Sequence, residues 1–461
     1  MNKKIKVMLF LLGALWCREM VAGWQPTPRI GVDMDPTKFM YVVAPYFRTD
    51  LAYKAFDANK HSIGLDAFVF GKPAVQIKDV FLASKLAGLG DTNVSTSNYL
   101  SLLSTATMSM ELDQTRNMFS LEWSLNVALG NSDVLLTSGV TVPVEYYEQT
   151  IDIEYIGAAL GTTFAGTQTD AAYFFTFYSD MDSFFQTEVL TPKGLVLKDY
   201  QRSLGIGSVR LFSMLDFSNY WPESVERLQI GFVTHLDAPQ TENANIVWPI
   251  ERGFGATYVG GFGQVYLNLT SFLQPFIIAE VTGAVAKNMM MRVPQLKTVT
   301  GAQVAAVATL GSSNILCSSN FVNNTVTVPF EMYDSTVPFF ADQALLVRRR
   351  RGALQTVKFG NRFDFASKAF LDVWYEHAHR MADEITRSDK AAGSTATNVY
   401  NFNVVSQNTR NSYHILGWQM VYGFQDGVVD GAKITLGTQH VMKGKSAPQY
   451  HTAFMQLEFG F

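Results

Sequence analysis

Cysteine is almost missing from this chain: Cys17 and Cys317 are the two among 461 residues. Loss of an N-terminal leader would leave Cys317 alone, so no internal disulfide is expected, and packing and strand ladders must hold the fold. Charge is scarce as well, 16% of residues where about a quarter is typical. Neither sign dominates, and a formal charge of −4 argues against a nucleic-acid binder. Long apolar runs are lacking. The nearest, over 271–286, is interrupted by Gln274, Pro275, Glu280 and Thr282, so no transmembrane helix is expected. No nucleophile elbow, phosphate-cradling glycine loop or paired-histidine zinc motif occurs. An enzyme is therefore not expected, no catalytic residue is nominated and no cofactor is implied.

What the chain does have is aromatic residues, 13% of the total, and alternation. The last eleven residues put Ala453, Met455, Leu457, Phe459 and Phe461 on one parity. Thr452, Gln456, Glu458 and Gly460 fall on the other, and Phe454 alone breaks the pattern. A strand repeats every two residues, so one face is apolar and the other largely polar. At the N-terminus, Lys3, Lys4 and Lys6 precede an apolar run over 7–16, and Val21, Ala22 and Gly23 follow it. Basic start, short apolar middle and small-residue exit read as a secretory signal peptide over 1–23. Its removal takes away four basic and one acidic residue and leaves a formal charge of −7. Cys17 raises a lipoprotein alternative, which Trp16 opposes because a lipobox needs a small residue there.

The alternation recurs along 38–461. A hairpin is expected over 105–129, turning at 113–117. Met108, Met110 and Leu112 alternate in the first arm, and Phe119, Leu121, Trp123, Leu125 and Val127 in the second. Arms of about ten residues suit tilted strands crossing a hydrocarbon layer. His414, Leu416, Trp418, Met420, Tyr422 and Phe424 share a face farther on, followed by strands over 433–443 and at the C-terminus. Weaker strands are read over 38–56, 61–70, 171–179, 207–219, 226–237, 256–270, 276–286, 293–309, 354–364 and 398–407. Two segments carry helical spacing, one within 71–103 and one over 369–386, the latter equally able to begin as a strand. The 71–103 segment suits either an inward loop or a surface loop bearing a helix. Long extracellular loops are expected over 236–253 and 308–325.

Signal, alternation and terminal phenylalanine together resemble bacterial outer-membrane β-barrel proteins, porin-like in architecture. The resemblance implies an all-β, antiparallel up-and-down transmembrane barrel over 24–461. About 14 strands are expected, within a range of 12 to 18, plus one or two short helical insertions. It implies residence in the bacterial outer membrane and contact with lipid and lipopolysaccharide. It also implies that the barrel-assembly machinery reads Leu457, Phe459 and Phe461. Homo-trimers are common among porins, so a homo-trimer is one assembly to expect.

Few residues carry candidate chemistry. Glu111, Glu122, Arg210 and Arg227 fall on the lumen parity of their strands. Arg348, Arg349, Arg350 and Arg351 form the densest charge run. In a lipid-spanning strand every second arginine would meet the membrane, at about 2–4 kcal/mol each near the midplane, so the run belongs at a rim, in a turn or in the lumen. There it would face Glu331, Asp334 and Asp342, bind lipopolysaccharide phosphates, or simply be solvated. His377 and His379, with Asp372, Glu376 and Asp383 nearby, would not share a face on a helix, so no metal is assigned. The expected function is passive diffusion of small hydrophilic solutes or ions, with lumen charges setting preference. Two alternatives stay open: a hydrophobic-substrate transporter of the fatty-acid type, and an adhesin or structural antigen anchored by its barrel.

Overall fold

The computed structural model describes residues 40–56, 60, 62–64, 75–76, 107–129, 134–156, 183, 186–191, 194–217, 224–237, 245–246, 253–293, 295–300, 325–329, 343–366, 369–388, 399–400, 402, 406, 409–424, 432–445 and 447–461. The expected signal peptide, most of 71–103, the strand over 171–179 and the loop over 308–325 lie outside them, apart from the strand residues 75–76 and the last residue of the loop.

Twelve strands close into a ring. They are β1 (Tyr41–Phe56), β2 (Thr107–Ala128), β3 (Leu135–Ile156), β4 (Val209–Asp216), β5 (Val225–Leu236), β6 (Tyr258–Leu267), β7 (Leu273–Ala284), β8 (Leu354–Ala366), β9 (Ala369–Arg380), β10 (Asn411–Gly423), β11 (Lys433–Lys445) and β12 (Ala447–Gly460). Each pairs antiparallel with its neighbours in sequence, and β1 pairs with both β2 and β12, which shuts the barrel. Closure leaves no unpaired edge for lipid to meet. The sheet counts fifteen strands, and the three outside the ring are Ser62–Gly64, Val75–Gln76 and Tyr200–Ile206. The ring thus has two strands fewer than the central expectation of fourteen and stands at the lower bound of the expected 12 to 18. Two three-stranded sheets stand apart from it: Lys287–Val293, Gln343–Arg350 and Glu384–Arg387, and Gln295–Thr300, Thr325–Pro329 and Val399–Tyr400.

Three expectations change. The hairpin over 105–129 is one strand of 22 residues, and 113–117 pair straight across to 146–150 of β3. The alternation shifts phase between its halves, which imitates a turn. Arg116 nevertheless stays in the strand because buried carboxylates receive it. The second helical candidate is β9, running into the short strand Glu384–Arg387. Among the described residues the one helical run is a five-residue π turn, Gln186–Leu190. Finally, β3 was not anticipated, because Pro143 sits within it and proline argues against a central strand. Here Pro143 marks a step. Residues 200–206 pair with 144–150 of β3, and β4 pairs with 135–141, so Gly207 and Ser208 form a bulge between them. Pro143 needs no amide donor at that step, and its carbonyl accepts from the Gly207 amide at 2.9 Å.

The wall is two-sided. Leu121, Trp123, Leu211, Phe232, Ile277, Val281, Phe359, Leu416, Trp418 and Met420 are exposed outward, with Phe232 78% exposed. Inside are Arg48, Asp50, Ser120, Glu122, Thr141, Glu145, Gln229, Gln264, Glu280, Gln419 and Gln456, all buried. An apolar outside and a polar inside fit a barrel in lipid. The chain ends meet at one end, where the Tyr41 and Phe461 amides and carbonyls bond reciprocally at 2.8 and 3.1 Å. That end carries the connections 129–134, 217–224, 268–272, 367–368 and 424–432, and the opposite end carries 57–106, 157–199, 237–257, 285–353 and 381–410. Short turns at one end and longer loops at the other are the usual asymmetry of such barrels.

Candidate functional site in the barrel lumen

Two kinds of side chain fill the interior. On β1, β2, β3 and β12 they are charged. Arg48 Nε donates to Asp50 Oδ1 at 2.7 Å, and Arg116 reaches Asp50 Oδ2 at 3.4 Å and Glu145 Oε1 at 2.9 Å. Thr452 Oγ1 donates to Asp50 Oδ1 at 2.7 Å across the barrel seam. Two arginines and two carboxylates thus neutralise one another, all with side chains at most 6% exposed. Buried charges survive only when paired in this way.

On β4 to β9 a layer of rings joins buried polar and charged groups. Phe212, Met214, Val233, Phe262, Tyr266, Phe276, Ile278 and Trp374 form one buried cluster, and Phe454 of β12 packs against it. This explains the one break in the C-terminal alternation: Phe454 is apolar on the lumen face because other rings meet it there. Several rings lie opposite a glycine on the adjacent strand: Phe212 on Gly139, Phe262 on Gly231, Phe276 on Gly360, Trp374 on Gly417 and Phe454 on Gly437. A Cβ at Gly417 would lie 2.5 Å from the Trp374 ring, and one at Gly139 would lie 2.6 Å from Phe212. The glycines give the rings room to lie flat against the wall. Cations cover some of these faces, with Lys358 Nζ 3.6 Å from the Trp374 centroid and Arg362 4.9 Å from Tyr266. Nearer the terminal end, Asp216 accepts from Gln229 at 2.6 Å, and Arg362 grips Asp372 at 2.8 and 3.0 Å.

Between the two regions, toward the long-loop end, residues 253–257 turn inward. Gly253 and Gly255 have φ of 63° and 64°, the left-handed region that glycine adopts freely. The Gly253 amide donates to Glu145 Oε2 at 2.9 Å, and the Phe254 amide to Ser208 Oγ at 2.8 Å. The Phe254 ring meets His235 and Tyr258 edge-on, at 4.8 and 5.8 Å. Below this segment lies a cavity of about 40 Å³ lined by Arg48, Ser120, Thr141, Glu145, Ser208, Arg210, His235, Gly253 and Phe254, among others.

The nominated residues divide between lumen and rim. Glu122 and Arg210 are buried in the lumen, and Glu122 Oε2 accepts from Thr141 at 3.1 Å. Arg227 lies on the lumen parity toward the terminal end, 5.6 Å above the Tyr266 ring. Glu111 pairs with Asp152 in the ladder, and its side chain lies outside the described residues, as do Glu331, Asp334 and Asp342. The arginine run is at the rim. Arg348, Arg349 and Arg350 belong to the outer sheet, where Arg348 and Arg350 point to solvent and Arg349 is buried. Arg351 is buried against Gly255 and so touches the inward segment. Arg349 holds Asp383 at 2.6 Å, Arg380 holds it at 3.2 Å, and the Gly352 amide donates to it at 2.9 Å. Burial raises the Asp383 pKa, but Arg380, Arg349, the Gly352 amide and Arg351 outweigh it and hold the carboxyl below its ordinary value.

His377 and His379 share one parity of β9 and Asp372 and Glu376 the other, where the latter two are buried in the lumen. The five residues therefore do not converge. The outward histidines pair with one another: His377 stands 4.7 Å from His414, and His440 stacks on His451 at 3.8 Å. Leu457 and Phe459 sit on the outward parity of β12, and Phe461 is 72% exposed at the terminal rim. The ion quartet and the inward segment were not nominated. Glu145 lies in the unrecognised strand, and Arg116 in the supposed turn.

The sequence matches no protein-family model and no curated protein. Among solved structures it is similar to an outer membrane channel from Pseudomonas putida F1, at 9% identity and a TM-score of 0.46, over 95% of this chain and 100% of that one. It is also similar to the β domain of the Bordetella autotransporter BrkA, at 8% identity and 0.35, over 91% and 100%. A Pseudomonas aeruginosa FadL homologue follows at 9% identity and 0.30, over 91% and 90%. The closed ring and its apolar belt give this chain the architecture of a transmembrane β-barrel, and no subfamily is assigned to it.

Proposed function

We propose that the protein is an outer-membrane channel that admits small hydrophilic solutes through a lumen gated by residues 253–257. The observation that carries this reading is the cavity roofed by Gly253 and Phe254, with Arg48, Glu145 and Arg210 in its lining. A barrel that served as an anchor alone would need its lipid belt and a packed interior, not a hydrogen-bonded inward flap over a charged chamber. Charged groups of both signs around the chamber would set ion preference. In this reading residues 1–23 direct export, Leu457, Phe459 and Phe461 are read during assembly, and the rim arginines meet lipopolysaccharide phosphates. The test is swelling of liposomes containing the purified mature protein, with sugars and carboxylates of graded size. Swelling that falls off with solute size supports the channel, and impermeability to all of them removes it.

One observation favours a hydrophobic-substrate transporter instead. At the Gly207–Ser208 step the wall changes partner, and the cavity touches Ser208 and Pro143 at the same step. A solute leaving sideways into lipid would cross there. Uptake of a fatty acid or an aromatic hydrocarbon without sugar permeability would select that reading. Failure of both assays would select the anchor.

A further inference from the structure

Arg210 is a lumen arginine with no hydrogen-bonded counter-ion among the described residues. Its residue is 2% exposed, and its Nε, Nη1 and Nη2 find no hydrogen-bond acceptor among the described residues. Its contacts are instead with ring faces, 4.8 Å to the Phe212 centroid and 5.9 Å to Phe262. A ring face offers a cation far less than an oxygen does, and an unpaired buried charge is costly. The Asp50 and Glu145 carboxylates are committed elsewhere. Arg48 and Arg116 balance Asp50 and Glu145, and both Glu145 oxygens are taken, by Arg116 and by the Gly253 amide, at 2.9 Å each. Glu280 Oε1 meets His235 at 3.2 Å, and Glu122 Oε2 accepts from Thr141 at 3.1 Å. The Arg210 guanidinium lines the cavity together with the hydroxyl residues Ser120, Thr141 and Ser208.

We propose that this cavity is a binding site for one small monovalent anion, a halide or a compact carboxylate such as formate, held by the Arg210 guanidinium and neighbouring hydroxyls. A volume of about 40 Å³ admits an ion of that size and excludes sugar acids. Guanidinium and hydroxyl donors suit an acceptor-only ligand. The site narrows the proposed solute class to include small anions, and to that extent rests on the channel reading. The binding itself needs no open pore.

The experiment is thermal unfolding of the full mature barrel in detergent at constant ionic strength, with gluconate replaced stepwise by chloride, bromide or formate. A saturable rise in Tm with the small anions, absent with gluconate and lost in Arg210→Met, is expected. No anion-specific rise in the wild-type protein, or the same rise in Arg210→Met, overturns the site. Should Arg210→Met not fold, anomalous scattering from wild-type crystals grown in bromide decides. A bromide peak within hydrogen-bond reach of the Arg210 guanidinium supports the site, and an empty cavity in those crystals overturns it. Anion stabilisation in a barrel that fails the swelling assay would keep the site and discard the channel.

Discussion

On the side of the barrel built from β1, β2, β3 and β12 an ion quartet occupies the lumen, whereas on the side built from β4 to β9 a layer of rings lies among the buried charges. The ring side behaves as a protein core: shape decides, and glycines opposite Phe212 and Trp374 provide the fit. The ion side is directional. Each oxygen of Asp50 and Glu145 has a named donor, and the inward segment 253–257 hangs from one of them. The contrast shows where movement is cheapest. A ring layer laid on glycine cannot shift without opening voids, while the flap tip at Gly253 and Phe254 can leave at the cost of its two amide hydrogen bonds, about 0.5–3 kcal/mol each, and of the Phe254 ring contacts.

Substitutions on the two sides should therefore fail differently. The largest effect is expected from Arg116→Met, which leaves Asp50 and Glu145 without their shared partner. Breaking a buried pair costs about 3–5 kcal/mol, measurable as a lower urea midpoint in micelles, and a loss under about 1 kcal/mol would show that the quartet is not what holds this side. On the ring side, Gly417→Ala puts a Cβ 2.5 Å from the Trp374 ring, an overpacking penalty of about 1–3 kcal/mol. Gly263→Ala is the control, because the nearest atom to its added Cβ is the Gln229 carbonyl oxygen at 3.6 Å. It should stay within about 0.5 kcal/mol, and equal losses at both sites would contradict flat packing of the ring.

A smaller effect is expected at the rim. The Asp383 pKa is depressed in the folded state. Its contribution is thus fully present above the unfolded carboxylate pKa, about 3.9, and is lost as pH falls through the lower folded value. Proteolysis across 381–410 should quicken in acid in the wild-type protein, and Asp383→Asn should be quick already at neutral pH. A wild-type protein insensitive down to acid pH would show that this hub does not hold the rim.

The outward face was legible in the sequence because lipid leaves one solution there, apolar residues at every second position, and β10, β11 and β12 followed it. The lumen was less legible because ions and rings both satisfy the inward parity. Phe454 carried the one visible hint, an apolar residue out of step. Pro143 concealed β3, since its role at a bulge depends on Gly207, a residue distant in sequence. The phase shift before Phe119 concealed the continuity of β2, which depends on the partners of Arg116. Arg210 was placed on the lumen parity from sequence, but its want of an acceptor is visible only once the partners of Asp50 and Glu145 are known.

The most direct test of the central claim, a solute path closed by 253–257, is single-channel conductance in a planar bilayer, wild type beside Gly253→Val. A valine there must adopt φ near 63°, a strain of about 1–3 kcal/mol for a non-glycine residue, and its Cβ would lie 2.6 Å from the Ser208 nitrogen. The flap should be forced off its seat. The account predicts rare or small openings in the wild-type protein and a several-fold rise in open probability in the variant. Silence from both, in barrels that still show heat-modifiable migration, would contradict it.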